Sequence, residues 1–210
     1  MSRIRIAMFV FIMTGLQLSL HAQYLGIGLG RSFGTDLNAA ASSTPSALNP
    51  LSAGLRDSNV LTIEAGGSFL RYLRSGIHYG YARPEAFLSR GDAFGSRAEL
   101  QLRAHVLTFD IGLRTPELAG LRLFGVAGAG VGRFNIEVLD QVEVPFPSGP
   151  PDSLVVPVLA YGGGVEQEFL PGVRWKAELR DEWTSAPEDL FRPGGSWHRV
   201  LLSAGLVFGR

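Results

Sequence analysis

The stretch VRWKAELRDEW, residues 173–183, carries a charge at every even position: Arg174, Lys176, Glu178, Arg180 and Glu182. Val173, Trp175, Ala177, Leu179 and Trp183 occupy the odd positions, with Asp181 the one exception. A period of two is that of a β-strand, whose successive side chains point to opposite faces. On a helix, at about 100° per residue, the same apolar residues would scatter over two faces with charges between them. The strand is also long. Eleven residues at ~3.3 Å each span roughly 36 Å, about twice the usual strand.

The chain opens MSRIRIAMFVFIMTGLQLSLHAQ, with Arg3 and Arg5 before an apolar run and small Ala22 before Gln23. Residues 1–22 are therefore expected to be a cleaved secretory signal peptide, and 23–210 a single domain. Removing 1–22 takes away two of 19 basic side chains and leaves 17 against 19 acidic ones, a formal charge of −2. Nothing in that balance favours nucleic acid. Cysteine is absent, so an exported chain holds together without disulfides and thiol redox chemistry is excluded. The longest later apolar run, LFGVAGAGVG at 123–132, is too short to cross a bilayer as a helix. If this chain enters a membrane, it does so as strands.

Segments like 173–183 recur, and eight strands are predicted: 24–33, 60–70, 75–85, 96–114, 121–138, 153–169, 173–183 and 197–208. In the first, Leu25, Ile27 and Leu29 alternate with Gly26, Gly28 and Gly30; in the second, Leu61, Ile63, Ala65 and Phe69 oppose Thr62, Glu64, Gly66 and Ser68. The third sets Ile77, Tyr79 and Tyr81 against Gly76, His78 and Gly80, and Pro84 loosens its end. In 96–114 the apolar parity switches from Leu100, Leu102 and Ala104 to Leu107, Phe109, Ile111 and Leu113. That switch predicts a bulge near His105. Strand 121–138 is so rich in small residues that either face is open to assignment. The last strand groups Val200, Leu202, Ala204, Leu206 and Phe208. Long connections (34–59, 87–96, 139–152, 184–196) alternate with short ones (RYLRS, TPELAG, LPG), the asymmetry of an outer-membrane barrel.

The alternation by itself also fits a soluble barrel or sandwich with its apolar face inward. Two features favour the reverse. If Phe169 pairs with Val173 across the turn, Glu168 faces Arg174 and Glu166 faces Lys176, opposite charges on neighbouring strands. Trp175 and Trp183 share the apolar face eight residues apart, about 26 Å along the strand and ~20 Å vertically after tilt, close to the apolar band of such barrels. Tyr161 and Phe169 repeat the spacing, and with Phe208 these rings are expected at the membrane interfaces. Glu64, Glu166, Glu168, Arg174, Lys176, Glu178, Arg180 and Glu182 are expected to form a charge network in the lumen.

The chain ends SAGLVFGR, which looks like the C-terminal sorting signal of outer-membrane barrels, although Arg210 departs from that family's terminal aromatic. Residues 23–210 as a whole resemble the small eight-stranded outer-membrane barrels of the OmpA and OmpX type, in pattern, glycine content and termini. The resemblance implies an all-β, eight-stranded antiparallel up-and-down transmembrane β-barrel in the bacterial outer membrane. It further implies insertion by the outer-membrane assembly machinery, periplasmic termini and four loops outside the cell. Closure follows physically, because in hydrocarbon an open strand edge leaves a row of backbone groups unpaired.

Four places in the sequence invite a chemical reading. GIGLG (26–30) and GAGVG (128–132) are Gly-x-Gly-x-Gly runs that open no helix, so they read as sheet glycines, not a nucleotide loop. Ser196 and His198 are close in sequence, but a hydrolase needs a third group to orient the base. His78 and His105 with Glu64 or Asp110 lack the spacing of a metal site. Glu166 and Glu168 are neutralised by Arg174 and Lys176, which argues against acid–base work. No catalytic residue, metal ligand or cofactor is expected. The role expected is structural, or one of surface interaction through the loops with an unknown partner, the barrel wall meeting membrane lipid. A small ion or solute channel is the alternative. A soluble ligand-binding barrel, with Trp175, Leu179 and Trp183 inside, is the third.

Overall fold

The computed structural model describes residues 23–34, 36–38, 51–68, 70–90, 97–141, 153–185 and 196–209. Residues 1–22, Phe69 and Arg210 lie outside that set. The described strands are β1 (Tyr24–Gly34), β2 (Asp36–Asn38), β3 (Leu51–Leu55), β4 (Ser58–Ser68), β5 (Leu73–Ala82) and β6 (Glu85–Arg90), then β7 (Arg97–Arg114), β8 (Leu121–Gln141), β9 (Ser153–Leu170), β10 (Val173–Ser185) and β11 (Ser196–Gly209). Eight of them, β1, β4, β5, β7, β8, β9, β10 and β11, pair antiparallel in a closed ring.

The ring's geometry can be read from its register. Starting at Gly34, successive partners are Arg199, Glu182, Ala160, Gly128, Asp110, Gly76, Gly66 and finally Tyr24. The circuit returns to β1 ten residues below its start. Such a stagger tilts the strands by about 40° and leaves an interior just wide enough to be filled by side chains.

β2, β3 and β6 extend the staves of β1, β4 and β5 past the ring, pairing β2 with β3, β3 with β6 and β6 with the upper part of β7. The 34–59 connection, expected to be loop throughout, is therefore partly strand. Pro84 marks the break between β5 and β6: it has no N–H to give, yet its carbonyl accepts the Leu102 amide at 2.9 Å and pairing resumes beyond it.

The expected bulge near His105 is absent. β7 pairs with β8 in one unbroken register from Leu100 to Arg114, and the only shift lies between Glu99 and Leu100. Leu102, Ala104 and Val106 are buried on the same inward parity as Thr108. Leu102 and Ala104 face inward with no change of parity because the loop end of this lumen is apolar, not polar throughout.

At the short-turn end, Gly172 with φ of 75° completes the Leu170–Val173 hairpin, a left-handed conformation that glycine adopts without steric cost. Leu170, not Phe169, pairs with Val173, and a register shift at Val173/Arg174 then sets Glu168 opposite Arg174 and Glu166 opposite Lys176. Glycine is also needed where the barrel wall is crowded from within. A Cβ on Gly66 or Gly76 would lie 2.7 Å from the Tyr24 hydroxyl.

Candidate functional site

Even-numbered residues of β1, β4, β5, β7, β8, β9 and β10, and odd-numbered residues of β11, face the lumen, where a ladder of ion pairs climbs from the short-turn end. Glu166, fully buried, occupies the lowest rung. Its Oε1 accepts Arg74 Nη1 at 2.7 Å, and its Oε2 lies 3.3 Å from Arg114 and 4.0 Å from Arg174. Three cations thus share one carboxylate. The Arg74 guanidinium also lies over the Phe124 ring, 4.4 Å from its centroid, an added cation–π attraction.

Above it, Lys176 Nζ sits between Glu64 at 2.6 Å and Glu178 at 2.7 Å. Arg180 then grips Asp110 with both ends of its guanidinium, at 2.7 and 2.9 Å, and donates to Thr108 Oγ1 at 2.6 Å. Its remaining neighbours are Glu178 at 3.6 Å and Glu182 at 3.8 Å. Glu182 completes the ladder by accepting Arg199, whose Nε lies at 2.9 Å. Charges taken out of water at this depth persist because each meets an opposite charge, and the bidentate Arg180–Asp110 pair is the stronger type.

The ladder stops at an apolar cap. Val60, Ala82, Ala104, Phe134, Val156 and Leu201 pack together across the lumen near the loop end, with Leu154 against them. Lower down, two cavities beside Lys176, Glu178 and His78 have volumes of ≈ 10 Å³ and ≈ 20 Å³, room for about one water molecule each.

Seven of the eight residues proposed from sequence for the lumen, Glu64, Glu166, Arg174, Lys176, Glu178, Arg180 and Glu182, stand in this ladder. Glu168 does not: it is exposed at the mouth, its Oε1 accepting the Gly172 amide at 3.1 Å. Nor does Glu166 pair with Lys176, its register partner, since the arginines of β5 and β7 reach it first. Arg74, Arg114 and Arg199, together with the ion-pair role of Asp110, were missed. Arg74 was hidden in a segment read as turn. Arg114 and Arg199 share parity with inward neighbours, which was the available signal.

The outer surface is the inverse of a soluble protein's. Leu25, Ile27, Leu29, Leu107, Ile111, Leu113, Leu123, Leu159, Leu179 and Leu202 are all exposed, a continuous apolar girdle of the kind that meets lipid. Trp175, Leu179 and Trp183 belong to it, which overturns the soluble-barrel reading that needs them inside. At the short-turn edge, Trp175 Nε1–H donates to Gln167 at 2.7 Å, with Phe169 and Phe208 exposed nearby. At the loop edge, Trp183 stacks on His198 at 6.1 Å between centroids, and Tyr161 O–H donates to Asp181 at 2.6 Å. Asp181, the odd residue of the opening stretch, thus faces outward with its carboxylate held by Tyr161 and, at 3.2 Å, by His198 Nδ1.

His78 lies in the lumen, whereas His105 lies outside, 2.8 Å from the Tyr79 hydroxyl. They stand on opposite faces of the wall, so no metal site contains both. Both Gly-x-Gly-x-Gly runs lie mid-strand, in β1 and β8. The side chain of Ser196 lies outside the described residues.

No protein-family model and no curated relative matches the sequence. Among solved structures, the chain is similar to Neisserial surface protein A, with a TM-score of 0.56 at 14% identity over 89% of this chain and 96% of that one. It is likewise similar to the outer membrane protein OprG from Pseudomonas aeruginosa, with a TM-score of 0.52 at 10% identity over 90% of this chain and 97% of that one. At such identities the likeness concerns the fold. A closed antiparallel ring of eight strands, apolar without and charged within, gives this chain the fold of the small outer-membrane β-barrels of the OmpA and OmpX type.

Proposed function

We propose that the protein resides in the outer membrane as a non-conducting scaffold that holds four loops, within 34–59, 87–96, 139–152 and 184–196, at the cell surface. The observation that supports this reading is the filled lumen: an ion-pair ladder with water-sized cavities, closed at the loop end by hydrocarbon. A conducting pore needs a continuous polar path, and eight-stranded barrels rarely leave one. The short turns and both described chain ends then lie on the periplasmic side, and residues 1–22 serve as the export signal.

Single-channel recording on the purified protein in planar bilayers tests the proposal. No discrete openings are expected from the native barrel, and its heat-modifiable gel migration gives an independent check that the protein is folded. Discrete, reproducible openings from a folded sample would replace the scaffold with the channel reading. Fractionation that recovers the protein in the soluble periplasm would overturn the membrane location itself.

A further inference from the structure

We propose that the outer face of the barrel, at the loop end of β5, β7 and β8, binds the phosphate-bearing headgroup of an outer-leaflet glycolipid through Arg83, Arg103 and Arg133. The proposal rests on the outer-membrane reading and adds to it a lipid that one side of the barrel selects.

The three arginines come from adjacent staves at nearly one height. Arg103 pairs in register with Asn135, and Arg133 with His105, two residues away. Arg83 follows Ala82, which pairs with Ala104, so it stands beside Arg103. Odd parity turns all three outward, and all three are exposed.

Two of the three are oriented by neutral amides. Arg83 Nη2 donates to the Gln101 amide oxygen at 2.8 Å, and Arg133 Nε to the Asn135 amide oxygen at 3.1 Å. Two acids with described side chains border this patch: Glu85, opposite Gln101 in register and 2.8 Å from Arg56, and Glu137. Glu137 lies 3.0 Å from Arg103, with the two side chains 54% and 49% exposed, too solvated to cancel the field of the other two. Arg31 and Arg56 each have a carboxylate, Asp57 at 3.5 Å and Glu85 at 2.8 Å, in pairs about as exposed as Arg103–Glu137. The positive surplus among the described rim side chains therefore rests on Arg83 and Arg133, whose described partners are neutral amides.

Depth identifies the ligand. Directly below the arginines stand Tyr79, Tyr81 and His105, the Tyr81 and His105 rings 5.0 Å apart, and amphipathic rings of this kind settle at the membrane–water boundary. The arginines thus sit at headgroup height. On the adjoining strands β9 and β10 the outward residues near this height are apolar or aromatic: Val155, the register partner of Arg133, with Leu159 and Trp183. A guanidinium fork matches phosphate oxygens bidentately, and acyl chains below the phosphate would lie along the girdle formed by Leu107, Phe109 and Ile111.

The test titrates lipid A, and lipid A stripped of its phosphates, into the full-length protein held in detergent micelles, with binding read by microscale thermophoresis. Wild type is expected to prefer the phosphorylated lipid by about ten-fold. The variant R83Q/R103Q/R133Q is expected to lose that preference, while R31Q keeps it, because Arg31 stands on β1, away from β5, β7 and β8, and is paired with Asp57. Excess inorganic phosphate is expected to leave most of the lipid bound. Equal affinity for the two lipids, or equal loss in both variants, would overturn the proposal. Complete displacement by inorganic phosphate would do the same, by assigning the site to free phosphate. Heat-modifiable migration in lipid-A-free detergent separates the two levels: a barrel that folds but shows no phosphate preference sinks this proposal alone, whereas a chain that never folds in detergent sinks the membrane reading with it.

Discussion

Replacing Glu166 with glutamine is expected to lower the unfolding free energy by about 3–5 kcal/mol, the cost of stranding a buried charge whose partner is removed. Among the described residues, Glu166 is the carboxylate that lies within 4.0 Å of all three of Arg74, Arg114 and Arg174, and its side chain has no exposure to solvent. Without its charge, three guanidinium groups crowd one low-dielectric pocket. The measurement is the urea midpoint of the native band in detergent or vesicles, followed by heat-modifiable migration. Glu168→Gln is the internal control. It stands opposite Arg174 in register but is exposed, so its loss is expected to stay within about 0.5 kcal/mol. Removing one of the surplus cations alongside, as in Arg114→Gln with Glu166→Gln, is expected to recover part of the loss, a coupling that a double-mutant cycle quantifies. Equal stability of Glu166→Gln and wild type would mean that water screens the rung and that the ladder contributes little.

Leu179→Arg is expected to cost about 2–4 kcal/mol in a bilayer, the penalty for arginine at mid-depth on the lipid face of a barrel. Leu179 is outward and 54% exposed, flanked by Leu202 and Gly163 on the neighbouring strands and midway between Trp175 and Trp183. In water an exposed leucine of this kind would accept arginine within about 0.5 kcal/mol. The result therefore decides what solvent the girdle meets. Val155→Arg, near the loop end of β9 and 65% exposed, is expected to cost only about 0–1 kcal/mol, since the penalty fades toward the interface. If both substitutions are neutral in folded protein reconstituted into vesicles, the girdle does not touch acyl chains.

The ring and its handedness of faces were legible in residues 173–183 because a period of two is a local property. Arg174, Lys176, Glu178, Arg180 and Glu182 turn inward as one set for that reason. Their partners were not legible. Lys176 meets Glu64 on β4, Arg180 meets Asp110 on β7, and Arg74 on β5 meets Glu166 on β9; each pair spans the lumen between strands that are not neighbours. Such contacts depend on the ten-residue stagger of the closed ring, which no single strand encodes. The apolar cap was misread for a related reason. Leu102 and Ala104 share parity with Thr108 and Asp110, but the expectation that inward means polar made them look outward and required a bulge that β7 does not have. In β8 the small residues gave no parity signal, and only packing reveals that Phe124, Val126 and Phe134 fill the interior.

The apolar cluster stands between the ion-pair ladder and the loop end of the ring. Every ion pair of the ladder described above joins residues of the ring strands themselves, none of them from the long connections. Sequence can drift in the long connections without retuning the charges beneath them.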